Sequence, residues 1–249
     1  MSEIRLSDCE IVVISLATQD DRYRSVSATL EAAGLPHRLV RGIECKPGFI
    51  GCGLSHIKAL RTWNTERPLL VLEDDIALTD DFRPSIERPA DADAIYLGAS
   101  AYGTVADANL LPVFQAVIAE DAASGLVRVH NMLAAHAILH LTDRWKQGAI
   151  EGIMHAMIDR GLTPDQGLAN IQGDFRVYAA QQPFFYQCAE LQRPELAESQ
   201  VQATLVKIPV LAVGTVARVS APDRHIRLMI VADGDKLAWR YTPAQPNAT

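Results

Sequence analysis

Short aliphatic runs alternate with amphipathic stretches along most of the chain, which is the pattern of an α/β protein. Residues 10–16 (EIVVISL) and 69–72 (LLVL) are almost wholly apolar and rich in strand-forming side chains. Such runs predict strands that are buried on both faces, as in a parallel sheet. Apolar residues at helical spacing predict one helix over 21–33 and a second over 54–65, which follows the two glycines in 51–53.

The chain changes character after about residue 200, where β-forming residues dominate. Three runs there are predicted as strands, over 204–219, 225–231 and 237–241, and the DGD sequence at 233–235 is typical of a hairpin turn. We therefore expect an α/β domain over residues 1–200 and a small β-rich C-terminal appendage over 201–249. Two roles are open for the appendage, which either pairs edge strands in a homo-oligomer or contacts a substrate.

Composition restricts the class of protein. With 249 residues, of which 49% are apolar, the chain can bury one large core. A net charge of −7 argues against broad nucleic-acid binding, although it does not exclude a local basic groove. Four separated cysteines without a CxxC pair fit reduced thiols in a cytoplasmic protein. The charged start and the short apolar runs predict neither a signal peptide nor an integral membrane segment.

The apolar run at 69–72 ends in three adjacent carboxylates, Glu73, Asp74 and Asp75. Like charges this close repel one another unless a positive group lies among them. The carboxyl edge of a parallel sheet is where open α/β folds bind ligands, and hard divalent cations prefer oxygen ligands. The segment therefore predicts a metal-assisted site for a phosphorylated ligand; the alternative is a solvated acidic turn. Strand alternation predicts that Glu73 and Asp75 face one way and Asp74 the other.

Two further patterns contain candidate chemistry. Ser55 and His56 follow the glycines of 51–53 at the predicted helix start, where exposed amide groups favour phosphate. The alternative there is a capping serine with a histidine packed on the sheet. Asp21 and Arg22 follow the first predicted strand, where nucleotide-binding folds receive the base and ribose. The alternative for this pair is an acid favoured by the helix dipole and a surface arginine.

Taken in order, these patterns resemble glycosyltransferase family 25. The resemblance rests on the first strand followed by Asp21-Arg22, on GCGLSH at 51–56 with Trp63 seven residues beyond the histidine, and on LVLEDDI at 70–76. The family includes bacterial lipooligosaccharide galactosyltransferases and collagen galactosyltransferases. The resemblance implies a GT-A-like nucleotide-binding fold with a mixed, mostly parallel sheet flanked by helices. It also implies transfer of a hexose, with galactose or glucose favoured, from a UDP-sugar to a hydroxyl of a saccharide or glycoconjugate.

The resemblance further implies inversion at the anomeric carbon and a divalent metal, Mn²⁺ or Mg²⁺. It assigns the metal to Asp75 and Glu73, and donor binding to Asp21, Arg22, Ser55, His56, Glu73 and Asp74. Asp165 falls near a downstream family aspartate and is the candidate general base, since inverting transfer needs a carboxylate to take the acceptor proton. The alternative for Asp165 is a plain helix start in the TPDQ sequence at 163–166.

Two other functions stay open. The same chemistry on a modified nucleic-acid base is disfavoured by the acidic balance, although four arginines lie in the appendage: Arg218, Arg224, Arg227 and Arg240. A non-catalytic binding module that keeps the fold is the second alternative. Histidines at 130, 136, 140 and 155 have mixed spacing with no HxxxH pair on a well-defined predicted helix, and one of them could complete a metal shell. Trp63 and Trp145 are predicted as core residues rather than sugar platforms.

Overall fold

The computed structural model describes residues 2–100, 103–104, 117, 119–122 and 124–188, and the backbone of three strands within 216–243. The α-helices described are α1 (Asp20–Ala32), α2 (Gly48–Thr62), α3 (Asp143–Arg160) and α4 (Pro164–Ile171). The strands of the N-terminal half are β1 (Ser2–Arg5), β2 (Glu10–Ser15), β3 (Arg38–Arg41), β4 (Leu69–Glu73), β5 (Ile76–Leu78), β6 (Ser85–Arg88) and β7 (Ala94–Tyr96). The later strands are β8 (Ala119–Asp121), β9 (Leu126–Val129), β10 (Ala137–His140), β11 (Val177–Ala180), β12 (Phe185–Gln187), β13 (Val216–Ala221), β14 (Arg224–Asp233) and β15 (Lys236–Pro243).

Eight of these strands form one mixed sheet in the order β3-β2-β4-β10-β7-β11-β9-β8. The α/β class and the mixed sheet flanked by helices are confirmed, but the prediction that the sheet is mostly parallel is wrong. Strand β2 runs parallel to β3 and β4, and β7 parallel to β11. Strand β10 runs against both β4 and β7, and β9 against both β8 and β11. Only residues 122–125 join β8 to β9, too few for the crossover that a parallel pair needs.

Both faces of the sheet are covered, as the aliphatic run of β4 predicts. Leu69 and Val71 belong to an apolar cluster with residues of α2, α3 and α4. Leu70 and Leu72 belong to a second cluster on the other face, where Val26 of α1 packs. Because neighbouring strand residues point to opposite faces, residues 69–72 are all buried, and the last strand residue, Glu73, emerges partly exposed on the α2 side.

Helix α1 lies within one residue of its predicted bounds, whereas α2 begins at Gly48, six residues before the predicted start. The glycines of 51–53 therefore lie inside α2 rather than before it. A Cβ at Gly51 would overlap the carbonyl oxygen of Ile43, and one at Gly53 would overlap Met157 of α3. The glycines are needed for close packing of α2, which outweighs their low helix propensity.

Strands β13, β14 and β15 form an antiparallel sheet, and Asp233 pairs with Lys236 across the last two strands. Strand β13 begins at residue 216; the earlier part of the predicted 204–219 strand lies outside the described residues. The division at residue 200 and the role of the appendage stay predictions. No helix in the described part of the chain has both the length and the apolar character needed to cross a membrane.

Asp93 connects three elements at one end of the sheet. It precedes β7, is buried, and accepts hydrogen bonds from the Thr142 hydroxyl at 2.8 Å and the Arg176 backbone amide at 2.9 Å. The guanidinium of Arg144 forms an ion pair with the same carboxylate. Burial alone raises the pKa of Asp93, but the hydrogen bonds from Arg144, Arg176 and Thr142 outweigh it and hold the pKa below its ordinary value.

Replacing Asp93 with Asn tests this junction. We expect D93N to lower the free energy of unfolding at pH 7 by about 2–4 kcal/mol, measured by urea denaturation, because charged hydrogen bonds at a buried site are lost. The pKa of Asp93 is lower in the folded than in the unfolded protein. The stabilisation from its ionised carboxylate is therefore fully present above about pH 4, near the unfolded pKa, and is lost as the pH falls through the lower pKa of the folded state. The control is D21N at an exposed carboxylate, expected within about 0.5 kcal/mol of wild type. A D93N deficit that does not shrink in acid contradicts the account.

Candidate functional site

Two cavities meet at the end of β4. The first, here the Arg22 cavity, has a volume of about 560 Å³ and lies between the end of β2, the start of α1 and residues 43–48. The second, the Asp165 cavity, has a volume of about 510 Å³ and lies between α2, the start of α4 and residues 133–136. Both are of the size that holds a small organic ligand. Cys52 and Glu73 line both cavities and form their shared wall.

The three carboxylates after β4 do not alternate as predicted. Glu73 is the last strand residue and faces α2, whereas Asp74 and Asp75 lie in the turn before β5. Both aspartates reach the same Arg22 guanidinium, with Nη2 at 2.6 Å from Asp74 and 3.2 Å from Asp75. The expected pairing of Glu73 with Asp75 is therefore wrong, because the strand pleat that determines alternation ends at Glu73.

Arg22 is the positive group that the sequence requires among these carboxylates. Asp74 and Asp75 are 6% and 5% exposed, so each carboxylate needs a partner inside the protein. Burial raises the pKa of Asp74, and the Ser15 hydroxyl and Arg22 oppose that shift. The buried Nε of Arg22 has no hydrogen-bond acceptor among the described residues. Because this atom is buried, it could meet an anionic ligand only if the Arg22 side chain moved from its present position.

Glu73 is held by a different set of partners. Its Oε1 lies 3.0 Å from His56 Nε2 and 3.9 Å from Cys52 Sγ, and its Oε2 accepts a hydrogen bond from the Gln187 side chain at 3.1 Å. Burial lowers the pKa of His56, but hydrogen bonds to Cys52 and Glu73 outweigh burial and raise that pKa to about 10. Burial raises the pKa of Glu73, but the His56 hydrogen bond and charge bring it below its ordinary value. These two shifts favour a charged pair between the buried His56 and the partly exposed Glu73.

Ser55 lines the Arg22 cavity, but its hydroxyl has a structural role. It donates to the Gly51 carbonyl oxygen at 2.6 Å and accepts from the Ile43 amide at 2.7 Å. It therefore fixes the segment after β3 against α2. Because α2 begins at Gly48, neither Ser55 nor His56 lies at a helix start, and the phosphate-binding amides expected beside them are not there.

Asp21, predicted to bind the donor, lies outside the cleft. Its side chain is 93% exposed and pairs with Arg24 on the outer surface of α1. The position fits the alternative raised for it, an acid in the first turn of a helix. The structure therefore brings together Arg22, Ser55, His56, Glu73, Asp74 and Asp75 of the predicted residues, and leaves Asp21 apart.

Asp165 is half-buried and lines the second cavity. It lies in the first turn of α4, which Thr163 caps through a reciprocal hydrogen-bond pair with Gln166. The helix start expected for TPDQ is thus present, and the same helix start directs this carboxylate into the cavity that shares Cys52 and Glu73 with the Arg22 cavity.

The two tryptophans and three of the histidines singled out in the sequence lie in different environments. Trp63 and Trp145 are buried core residues, as predicted. His140 accepts a hydrogen bond from the Trp145 indole at 2.8 Å within that core, and His155 pairs with Asp159 at the surface. His136 lines the Asp165 cavity, and burial holds its pKa below the ordinary value.

The donor atoms of the cleft fall into two sets. Asp74 and Asp75 offer oxygen ligands side by side, which suits a hard cation such as Mg²⁺ or Mn²⁺. Glu73, assigned with Asp75 to the metal, is grouped instead with Cys52 and His56, whose ligand atoms all lie within 4.8 Å of its own. The oxygen set fits the expected cation through Asp75 and Asp74 rather than through Asp75 and Glu73.

Sequence reasoning missed Cys52 and Gln187. The signal for Cys52 was its i,i+4 spacing to His56, which aligns the two side chains on one helix face only if α2 begins before residue 52. All four cysteines are free in the structure. Gln187 lies on β12, which pairs with β5 beyond the acidic turn, and nothing in the local sequence marks that pairing.

Comparison of the chain with models of known protein families gives no match, and comparison with curated protein sequences gives none either. The site must therefore be interpreted from its own geometry.

Replacing Arg22 with Met tests whether this guanidinium holds the acidic turn. We expect R22M to lower the free energy of unfolding by about 1–3 kcal/mol at pH 7. The loss is smaller than for a fully buried ion pair because Arg22 is partly exposed and solvent screens its charge. This loss of stability should become smaller in acid, because protonated aspartates no longer need the Arg22 charge. The change should begin above the ordinary pKa of an aspartate, because the pKa of Asp74 is raised. R24M, at an exposed pair on the same helix, is the control and should stay within about 0.5 kcal/mol of wild type. Equal deficits for the two variants, by urea denaturation, would refute this role.

Proposed function

We propose that the protein is a glycosyltransferase that moves a hexose from a nucleotide-sugar donor to a hydroxyl of a saccharide or glycoconjugate. The observation that carries the proposal is the pair of adjoining cavities, one with Asp74, Asp75 and Arg22 and the other with Asp165. Transfer between two substrates needs two binding spaces that meet at the reacting bond. The resemblance of residues 21–22, 51–56 and 70–76 to family 25 supports the same assignment.

The Arg22 cavity suits the donor. Arg22 and Lys46 line it and provide positive charge for a diphosphate. The end of β2 and residues 43–48 form the rest of the cavity and would enclose the nucleoside. Asp74 and Asp75 would hold a divalent cation, Mn²⁺ or Mg²⁺, which when bound supplies charge neutralisation to the departing nucleoside diphosphate. As the donor enters, Arg22 would exchange its aspartate partners for phosphate oxygens.

The Asp165 cavity suits the acceptor. The Asp165 carboxylate would take the proton of the acceptor hydroxyl as that oxygen forms a bond to the anomeric carbon. The bond from the anomeric carbon to the phosphate oxygen breaks at the same time, and the nucleoside diphosphate leaves with the electron pair. Attack from the side opposite the leaving group inverts the configuration. His56 and Glu73 lie at the shared wall, where the hexose would be held.

The donor half of the proposal is tested by binding. In calorimetry with UDP-galactose and UDP-glucose, we expect Mn²⁺-dependent binding to wild type and a loss of at least tenfold in D75N, because a neutral amide replaces a charged carboxylate ligand of the cation. D21N is the matched control and should bind as wild type does, since its carboxylate lies outside the cleft. Absence of binding for every nucleotide sugar tested, with and without metal, would overturn the proposal and favour a non-catalytic module.

The acceptor half is tested by turnover. We expect D165N to lower kcat for nucleoside diphosphate release by about 10²–10⁴-fold, with donor affinity unchanged, because only the proton acceptor is lost. D159N removes an exposed carboxylate on α3 and should leave kcat unchanged. Wild-type kcat in D165N would exclude it as the base. Turnover with duplex DNA carrying a hydroxymethylated base, but with no saccharide, would instead favour the nucleic-acid acceptor.

A further inference from the structure

The shared wall of the two cavities contains three potential metal ligands of mixed chemistry. Cys52 Sγ, His56 Nε2 and a Glu73 carboxylate oxygen all lie within 4.8 Å of one another. They form the one group of this kind in the described part of the chain. A thiol, an imidazole and a carboxylate together are the ligands that Zn²⁺ and similar transition metals take, whereas Mg²⁺ and Ca²⁺ avoid sulfur.

The spacing of the donor atoms fits four-coordinate geometry. Glu73 Oε1 lies 3.9 Å from the sulfur and 3.0 Å from the imidazole nitrogen. Tetrahedral zinc with ordinary bond lengths separates an oxygen ligand from sulfur by about 3.6 Å and from nitrogen by about 3.4 Å. The two separations from Glu73 Oε1 are thus within a few tenths of an ångström of those values, and Sγ and Nε2 lie within 4.8 Å of each other.

The three side chains are held by rigid elements. Cys52 and His56 lie one turn apart on α2, whose close contacts at Gly51 and Gly53 fix it against residue 43 and α3. Glu73 is the last residue of strand β4, whose four preceding residues are buried. Gln187 donates to the other oxygen of Glu73 at 3.1 Å and so keeps Oε1 directed at Cys52 and His56. Hydrogen bonds from outside the ligand set commonly orient metal-binding carboxylates in this way.

We propose that Cys52, His56 and Glu73 form a binding site for Zn²⁺ or a chemically similar transition metal ion. Three protein ligands leave a fourth position, and since Cys52 is exposed in the cleft, that position opens to the cavities. Binding replaces both the thiol proton of Cys52 and the proton that His56 carries on Nε2 in its pair with Glu73, and both protons are released to solvent. The site is separate from the hard-cation site proposed at Asp74 and Asp75, and it does not depend on glycosyl transfer.

Cobalt substitution tests the site directly. Titration of the full chain with Co²⁺ under reducing conditions should give one equivalent of a thiolate-to-cobalt charge-transfer band with the visible bands of four-coordinate cobalt. Addition of Zn²⁺ should remove the bands, and addition of Mg²⁺ should not. C52S should abolish the charge-transfer band, and H56Q and E73Q should weaken Co²⁺ binding at least tenfold. C45S, at a cysteine that lines the Arg22 cavity outside the ligand set, is the control and should bind as wild type does.

A second measurement on the unmodified chain covers the case in which a variant does not fold. Zn²⁺ should slow alkylation of Cys52 by iodoacetamide at least tenfold, monitored by peptide mass spectrometry, and leave the rate at Cys45 unchanged. No cobalt band in wild type, a band that persists in C52S, or equal effects of zinc on both cysteines would overturn the proposal. Because neither measurement uses a sugar donor, its failure is distinct from failure of the transferase assays.

Discussion

The cleft depends on three carboxylates at the buried end of a central strand. Glu73, Asp74 and Asp75 emerge where β4 leaves the core, and the two buried aspartates cannot stay charged there without a partner. The partners come from helices on opposite faces of the sheet, Arg22 from α1 and His56 from α2. Apolar packing of the two helices thus brings one cationic side chain from each to the same strand end. Both cavities lie at this strand end, and Glu73 lines the two of them.

The arrangement around Arg22 also bears on the proposed donor site. Arg22 neutralises Asp74 and Asp75 in the free protein and keeps a buried Nε without an acceptor among the described residues. An anionic ligand that engages Arg22 would release the two aspartates to hold a cation. Because His56 and Gln187 hold Glu73 separately, the wall beside the second cavity need not move when this exchange takes place.

The sequence predicts those elements of the fold that are determined by interactions between residues near one another in the chain. The aliphatic strand β4, the amphipathic helix α1 and the acidic strand end can be predicted from the sequence. Burial on both faces requires a continuous apolar run, and a helix with one buried face requires apolar residues at helical spacing. The start of α2 is not visible, because Gly51 and Gly53 weaken a helix locally and are required by contacts with Ile43 and Met157 that only the folded chain makes. The direction of Asp75 likewise depends on a turn, and the approach of Gln187 to Glu73 depends on a strand pair far apart in the chain.

The most direct test is crystallographic. Crystals of the protein grown with UDP and Mn²⁺ should show nucleotide in the Arg22 cavity and an anomalous manganese peak between the diphosphate and the side chains of Asp74 and Asp75. Arg22 should contact the phosphates in that complex. Nucleotide bound elsewhere, or a cavity in which Arg22 keeps both aspartates and excludes nucleotide and manganese at saturating concentrations, would contradict the account.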